Sequence, residues 1–234
     1  MAASLPGGRS GCATPRPRYE VGRGVGHAWS LCAINRLNSI IDNLMNITIK
    51  QLSENLSNDY LYFFDNIAFV DNREWDGCYC MFYHHDNDVK DWLSRSKEDN
   101  KSMAINMIND HTLNGFLAYD NETPIAWCNA NDKKSFSFKK NLKKVYSDFD
   151  DSIVSIVCFL VSHHYRRYGI STKLLQAVIN YYQKTGKQYL EAYPFKNTIK
   201  DSENYHGPSG LYIKNGFCID KEYEKYIVMK YDLS

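Results

Sequence analysis

Apolar and polar positions recur along residues 45–234 in patterns that predict a succession of strands and helices. The segment ITIKQL (47–52) alternates between the two kinds of residue and predicts a first strand. The segment SIVSIVCFLV (152–161) is nearly all apolar and rich in Val and Ile, which predicts a strand buried on both faces. From Ile170 to about Lys184 the apolar residues fall on one stripe, so we expect an amphipathic helix that ends before Gly186.

The other apolar segments complete a mixed order of elements. Two helices are predicted before residue 110, one capped by Ser57 or Asn58 and one over residues 88–110. The turn DNETP between GFLAYD and PIAWCNA predicts a hairpin, and the chain ends in a second hairpin. The predicted order is β, α, α, β, β, β, α, β, α, β, β, which indicates an α+β fold with helices on the faces of a mixed sheet.

Residues 1–44 differ in composition from the rest of the chain. They contain Gly22, Gly24 and Gly26 among many other glycines and prolines, and no lysine precedes Lys50. They show no apolar core of the kind that a signal peptide has. We therefore predict a disordered or cloning-derived leader over residues 1–44 and a single domain over residues 45–234.

Charge and cysteine content narrow the classes of function. The formal net charge is +1 and no apolar run approaches the length that spans a bilayer, so we expect neither nucleic acid nor membrane as a partner. The seven cysteines are scattered, several within apolar runs, which predicts reduced thiols, no disulfide framework and a cytoplasmic location. The spacing in CYCMFYHH (78–85) does not match a zinc finger, so we predict no metal.

The segment VSHHYRRYGIST (161–172) joins the buried strand to the amphipathic helix through a basic turn. The first turn of a helix leaves backbone N–H groups unpaired, and the macrodipole makes that end positive. We expect Gly169 to let the backbone approach a bulky anion, while Arg166 and Arg167 add positive charge. The turn contains neither an ATPase P-loop nor a dinucleotide motif, so a diphosphate of another kind is the expected ligand. The alternative is a glycine with a purely structural role.

Two segments of the chain resemble sequence motifs of the GNAT N-acetyltransferase superfamily and follow each other in the same order. The segment CFLVSHHYRRYGISTKLL is similar to its acyl-CoA signature, [RQ]-x-x-G-x-[GA], with Arg166, Gly169 and Ser171 at the defined positions. The segment GLYIKNGF (210–217) resembles the tyrosine helix that follows in the superfamily. The likeness extends from Ile47 to the end of the chain and is closest to a bacterial branch of unassigned substrate.

Four positions depart from the superfamily pattern. His163 stands where proline is frequent, Arg167 replaces a glycine, and Ser171 replaces a glycine or alanine. Tyr205 occupies the place of a common asparagine, seven residues before Tyr212. These departures affect the individual contacts to a cofactor more than the anion-binding turn itself.

The resemblance implies both a fold and a reaction. The fold would be a mostly antiparallel sheet of about seven strands with a splayed central pair, flanked by about four helices. The reaction would be direct transfer of the acetyl group of acetyl-CoA to the primary amine of a small molecule. The residues that would bind the cofactor are Phe159, Leu160, Val161, Arg166, Arg167, Tyr168, Gly169, Ile170, Ser171 and Thr172.

The resemblance also suggests residues for proton transfer. Tyr212 matches the superfamily tyrosine, and a phenol can protonate the leaving thiolate; the alternative is a packing role. Glu191, on the strand beside the splay, is the candidate general base, against a solvent-facing glutamate or a water relay. His163 and His164 adjoin the turn and would contact phosphate or lie at the surface.

The acceptor amine is expected to bind within residues 60–85 and 127–131. Asp65, Asp71, Asp76 and Trp127 fall in these segments, and carboxylates with aromatic rings suit a cationic amine. A different class of function stays open: a catalytically silent acyl-CoA-binding sensor or partner-docking module. A protein-lysine acetyltransferase is disfavoured because no peptide-docking segment is apparent. We expect a monomer or homodimer.

Overall fold

Seven strands form one sheet in the computed structural model, which describes residues 45–85, 89–137, 150–198 and 200–234. The predicted leader, residues 1–44, lies outside the described residues. The sheet order is β1-β2-β3-β4-β5-β7-β6, and every neighbouring pair is antiparallel except β4 and β5. The strands are β1 (Ile47–Gln51), β2 (Gly115–Asp120), β3 (Thr123–Asp132), β4 (Ile153–Val161), β5 (Tyr189–Ala192), β6 (Cys218–Glu222) and β7 (Ile227–Asp232).

Five α-helices accompany the sheet within the described residues, so the α+β architecture predicted from the sequence is confirmed. One predicted helix, over residues 88–110, is divided in two because Ser96 starts a new helix. The Ser96 side chain accepts from the backbone N–H of Asp99, and the Asp99 carboxylate accepts from the backbone N–H of Ser96, a reciprocal capping box. The helices are α1 (Ser57–Asn66), α2 (Val89–Leu93), α3 (Lys97–Asn109), α4 (Ile170–Tyr182) and α5 (Ser209–Lys214).

The core lies on both faces of the sheet because strand residues alternate between the faces. On one face, Trp127 of β3 packs edge-on against Tyr60 of α1, with ring centroids 5.0 Å apart. On the other face, the apolar stripe of α4 is buried against β2, β3 and β4, and Leu174 and Leu175 are completely enclosed. Each of these leucines contributes about 1.5–3 kcal/mol through its burial.

Gly115 lets β2 pass close to the largest buried side chain of the first face. A Cβ atom at this position would lie 2.2 Å from Cη2 of Trp127 and 2.4 Å from the carbonyl oxygen of Cys128. Only glycine can therefore occupy this position without displacing the tryptophan.

Strands β4 and β5 separate after a short parallel contact. Their register runs from Ile153 opposite Tyr189 to Ile156 opposite Ala192, where β5 ends. Strand β4 continues to Val161 and stays paired with β3 on its other side. The sheet is consequently open beside the last residues of β4, which confirms the predicted splay.

The thiols follow the sequence prediction in part. Cys78, Cys80, Cys128 and Cys158 are free, and three of them are buried among apolar residues. Cys218 is disulfide-bonded, so the expectation of reduced thiols throughout is wrong at that position. Among the described residues, no helix combines the length and apolar character needed to cross a membrane.

Candidate active site

A cavity of about 1030 Å³ opens at the splay between β4 and β5. Its walls come from the end of β4, the turn and first residues of α4, the segment that ends in the short turn at Arg73–Trp75, and residues leading into and within α5. The predicted cofactor residues Phe159, Leu160 and Val161 lie along this cavity. The geometry therefore brings the buried strand and the basic turn to one place, as the sequence predicted.

The start of α4 supplies backbone donors to this cavity. Gly169 is the N-cap residue with φ of 75°, a left-handed conformation that favours glycine, and no side chain caps the helix. The first helical bond of α4 runs from the N–H of Lys173 to the carbonyl of Gly169. The N–H groups of Ile170, Ser171 and Thr172 precede that bond, and all three residues line the cavity.

The reason for glycine at position 169 differs in part from the one expected. A Cβ atom there would meet no protein atom within 4 Å, so the protein itself does not crowd this position. The backbone conformation favours the glycine, and Gly169 lines the cavity. Arg167 beside it also has a positive φ, of 69°, and lines the same cavity.

Arg166 contacts a carboxylate, which the sequence did not predict. Its Nη1 and Nη2 donate to the two carboxylate oxygens of Asp71 at 2.5 and 3.1 Å, and its Nε donates to the carbonyl of Val161 at 3.1 Å. Although partial burial acts in the opposite direction, the hydrogen bonds and charge of Arg166 lower the pKa of Asp71. Arg166 thus joins the turn to the segment at Asp71 and shapes the wall of the cavity.

The backbone of β4 is less free than expected at the splay. The N–H of Phe159 donates to the carbonyl of Tyr205 at 2.6 Å, and the carbonyl of Val161 accepts from Arg166. Tyr168 is 42% exposed and does not line the cavity, and neither do His163 and His164, whose rings lie 3.6 Å apart. The contribution of β4 is therefore mainly its shape and its apolar side chains.

A second cavity, of about 410 Å³, adjoins the first. Aromatic side chains line it, among them Phe82 and Trp92, whose rings meet edge-on with centroids 5.3 Å apart. Both cavities are lined by the same five residues at their junction: Phe69, Glu74, Trp75, Leu160 and Tyr205. The junction lies beside β4, where a group bound in one cavity can meet a group bound in the other.

Tyr212 does not lie at this junction. Its side chain is completely buried, and its phenol donates a short hydrogen bond to the carbonyl of His206. Burial raises the pKa of Tyr212 well above its ordinary value. The residue lines neither cavity, so the geometry supports the packing role weighed above rather than proton transfer.

Glu191 is likewise enclosed. One carboxylate oxygen lies 2.7 Å from Nζ of Lys133 and 3.0 Å from the hydroxyl of Tyr193, and Nζ of Lys230 lies 3.8 Å from the other oxygen. The side chain of Glu191 is 4% exposed and lines neither cavity. Strand alternation turns Glu191 towards the buried Lys133 and the half-buried Lys230 instead of the cavities, which does not favour the base role expected for it.

Tyr205 is the phenol that lies at the junction, and sequence reasoning missed it. Its hydroxyl is 3.3 Å from the hydroxyl of Tyr83, which is 2.6 Å from Nε2 of His206. Burial raises the pKa of Tyr205 and lowers the pKa of His206 to about 3, so this histidine is neutral. The one available signal was the departure from the superfamily pattern, a tyrosine in place of asparagine.

The residues predicted for the acceptor site lie in different surroundings. Asp76 lines the second cavity and Asp71 the first, whereas Asp65 is ion-paired with Lys101 at 2.7 Å. Trp127 is fully buried and lines neither cavity. Within the described residues, no three His, Cys, Asp or Glu side chains are grouped so that they could hold a metal ion.

Three solved structures illustrate what this chain is similar to. An uncharacterized protein from Bacillus halodurans has a TM-score of 0.50 and 17% identity, covering 80% of this chain and 83% of that one. The PaiA N-acetyltransferase from Thermoplasma acidophilum, solved with coenzyme A, has a TM-score of 0.49 and 15% identity, covering 80% of this chain and 99% of that one. An N-acetyltransferase from Staphylococcus aureus has a TM-score of 0.48 and 14% identity, covering 81% of this chain and 99% of that one.

The comparison with curated proteins gives no match. The family model described as "Acetyltransferase (GNAT) family" matches residues 81–206, more than half of the chain. This match includes β4, the basic turn and Tyr205, which line the first cavity together with segments outside the match. The chain therefore belongs to the GNAT acetyltransferase family.

Proposed function

We propose that this acetyltransferase moves the acetyl group of acetyl-CoA directly to the primary amine of a small molecule. The observation that carries the proposal is the junction of the two cavities at Leu160 and Tyr205, beside the splay of β4. One cavity has a helix N-terminus suited to a diphosphate, and the other has aromatic walls suited to an acceptor. We place the acetyltransferase domain at residues 45–234, and a cytoplasmic location stays a prediction.

Coenzyme A fits the first cavity. The uncapped N–H groups at residues 170–172 can donate hydrogen bonds to the diphosphate, for which there is open space above Gly169. Arg167 adds positive charge, while Arg166 holds the turn in place through Asp71. Bound in this way, acetyl-CoA would supply the activated acetyl group, and Phe159, Leu160 and Val161 would align its pantetheine arm along β4.

Tyr205 is the residue that we place in the proton-donor role, in preference to Tyr212. It lines both cavities, whereas the Tyr212 phenol is bound to a backbone carbonyl and buried. The hydroxyls of Tyr205 and Tyr83 and the ring of His206 form a chain of hydrogen bonds that can reorient as the Tyr205 proton moves. Because Glu191 is enclosed, we assign removal of the amine proton to water that reaches the junction.

The assignment of the diphosphate site can be tested with two matched glycines. Gly169 and Gly186 flank α4, have φ of 75° and 76°, and would each place a Cβ in open space. Gly169→Glu and Gly186→Glu therefore introduce similar strain and the same charge, but only the first blocks the cavity. We expect calorimetry with CoA to show a loss of affinity of more than about tenfold in the first variant alone. Equal affinities in the two variants would mean that the turn does not bind the diphosphate.

A catalytically silent acyl-CoA-binding module is the second candidate. The enclosure of both Tyr212 and Glu191, which the resemblance assigned to catalysis, favours it. The two functions differ in the release of free thiol from acetyl-CoA in the presence of amino acids, polyamines and aminoglycosides. CoA binding with no thiol release for any acceptor would favour the silent module.

A further inference from the structure

The second cavity has four charged side chains on its walls, and two of them neutralise each other. Nζ of Lys97 lies 3.1 Å from the carboxylate of Asp76 and 3.6 Å from that of Asp65. Glu74 and Arg95 are the other two charged residues of this cavity. Neither forms an ion pair with another described side chain, so one negative and one positive charge are available to a ligand.

Contacts with neighbouring side chains fix the guanidinium of Arg95 and leave some of its N–H donors for a ligand. Its Nε donates to Oδ1 of Asn100 at 2.7 Å, and one Nη atom lies 3.7 Å from the sulfur of Met103. Asn100 is itself buried and anchored, since its Nδ2 donates to the carbonyl of Gly77 at 3.0 Å. The remaining N–H groups of Arg95 have no carboxylate partner in the described chain. A planar, preorganised guanidinium of this kind is suited to bind a carboxylate.

Glu74 differs from Arg95 in its position in the second cavity. It lines both cavities and is one of the residues at their junction, where acetyl transfer would occur. Arg95 lines the second cavity only. An acceptor held by both residues would therefore point its ammonium group to the junction and its carboxylate away from it.

The walls between these charges are apolar and aromatic. Trp75 and Tyr205 meet edge-on with centroids 5.2 Å apart, and Phe82 and Trp92 form a similar pair. A volume of about 410 Å³ accommodates a ligand of the size of an aromatic amino acid. Such walls favour an apolar body over the polyhydroxylated body of an aminoglycoside.

We propose that the acceptor is a zwitterionic amino acid with an apolar or aromatic side chain, bound between Glu74 and Arg95. The inference rests on the proposed acetyltransferase function and deepens it. In the reaction, the acceptor nitrogen forms an amide bond with the acetyl carbon as the carbon–sulfur bond breaks. The ammonium nitrogen loses two protons in all: one passes to water, and the other balances the proton that Tyr205 gives to the thiolate of CoA.

Three probes with the same aromatic body test the charge requirement. L-phenylalanine has both charges, phenethylamine lacks the carboxylate, and 3-phenylpropionate lacks the amine; spermidine serves as a polycation. We expect calorimetry in the presence of CoA to show that L-phenylalanine binds about tenfold more tightly than either analogue. Thiol release from acetyl-CoA should follow the same order for the two amines. Tighter binding of phenethylamine or spermidine, or no binding of L-phenylalanine, would overturn the inference.

Substitutions test which residue binds the carboxylate of the acceptor and which binds its ammonium group. Arg95→Met should abolish the preference of L-phenylalanine over phenethylamine, and Glu74→Gln should abolish its preference over 3-phenylpropionate. Glu98→Gln, which alters an exposed residue of α3 outside both cavities, should change neither ratio. Unchanged ratios in the first two variants, with CoA affinity retained, would overturn the inference and leave the acetyltransferase proposal standing. Absence of CoA binding to the unaltered protein would overturn both.

Discussion

The carboxylate of Glu191 lies 2.7 Å from the ammonium group of Lys133, and both side chains are almost completely buried. Such a pair stabilises the fold only while both partners are present, because a single buried charge without its partner is costly. The relationship places the Glu191 carboxylate beside Lys133 and outside both cavities, although the residue lies on the strand beside the splay.

Lys133→Met should therefore lower the free energy of unfolding by about 3 kcal/mol, measured by urea denaturation at neutral pH. CoA affinity of the folded variant should be unchanged, since neither residue lines a cavity. Lys133→Met combined with Glu191→Leu should regain much of the loss because no charge is then left unpaired. Loss of turnover in Glu191→Gln without loss of stability would contradict this placement.

Tyr205→Phe and Tyr212→Phe separate the two candidate proton donors. Removal of the Tyr205 hydroxyl should lower turnover by about 10²-fold and leave CoA affinity unchanged, because among the described residues this hydroxyl bonds to Tyr83 and not to the turn before α4. Removal of the Tyr212 hydroxyl leaves the buried carbonyl of His206 without its donor, so stability should fall by about 1–3 kcal/mol. Steady-state kinetics and urea denaturation of both variants measure these effects. The reverse pattern would restore Tyr212 to the chemistry.

The buried ring of His206 predicts a pH dependence of stability. Burial lowers its pKa to about 3, below the ordinary value of about 6.5 in the unfolded chain. Above pH 6.5 the ring is neutral in both states, and as the pH falls only the unfolded chain takes up the proton. The stability is therefore lost progressively from pH 6.5 down towards pH 3, by about 2 kcal/mol at pH 5.

His206→Gln removes this titration and keeps a partner for Tyr83. Urea denaturation between pH 7 and pH 4.5 should then show a smaller decline in stability than in the unaltered protein. His84, whose pKa burial lowers to about 4, accounts for a further part of the decline in both proteins. Parallel curves for the two proteins would show that His206 titrates normally in the folded state.

The elements predicted best were those that a local pattern determines. The apolar run at 152–161 specifies β4 because a strand buried on both faces is apolar throughout. The stripe from Ile170 specifies α4 because a helix buried on one face repeats its apolar residues with the helical period. The division of the helix at 88–110 was missed, although the cap at Ser96 with Asp99 three residues later is itself a sequence signal.

The candidate site was predicted less completely than the fold. The turn at residues 166–172 has its own sequence signature, whereas the partner of Arg166 is Asp71, 95 residues away. The surroundings of Tyr212, Glu191 and Tyr205 depend equally on contacts between distant segments, and a period along one strand or helix does not specify them. The resemblance predicted the chemistry, whereas the packing of distant segments determines which of these residues line the cavities.

The pair formed by Arg166 and Asp71 joins the turn before α4 to the segment that lines both cavities. Both side chains are about one-third exposed, so dissolved ions reach them and weaken their attraction. Ionic strength is consequently a variable of the cavity wall itself, and ligand affinities of this protein are comparable only at one salt concentration.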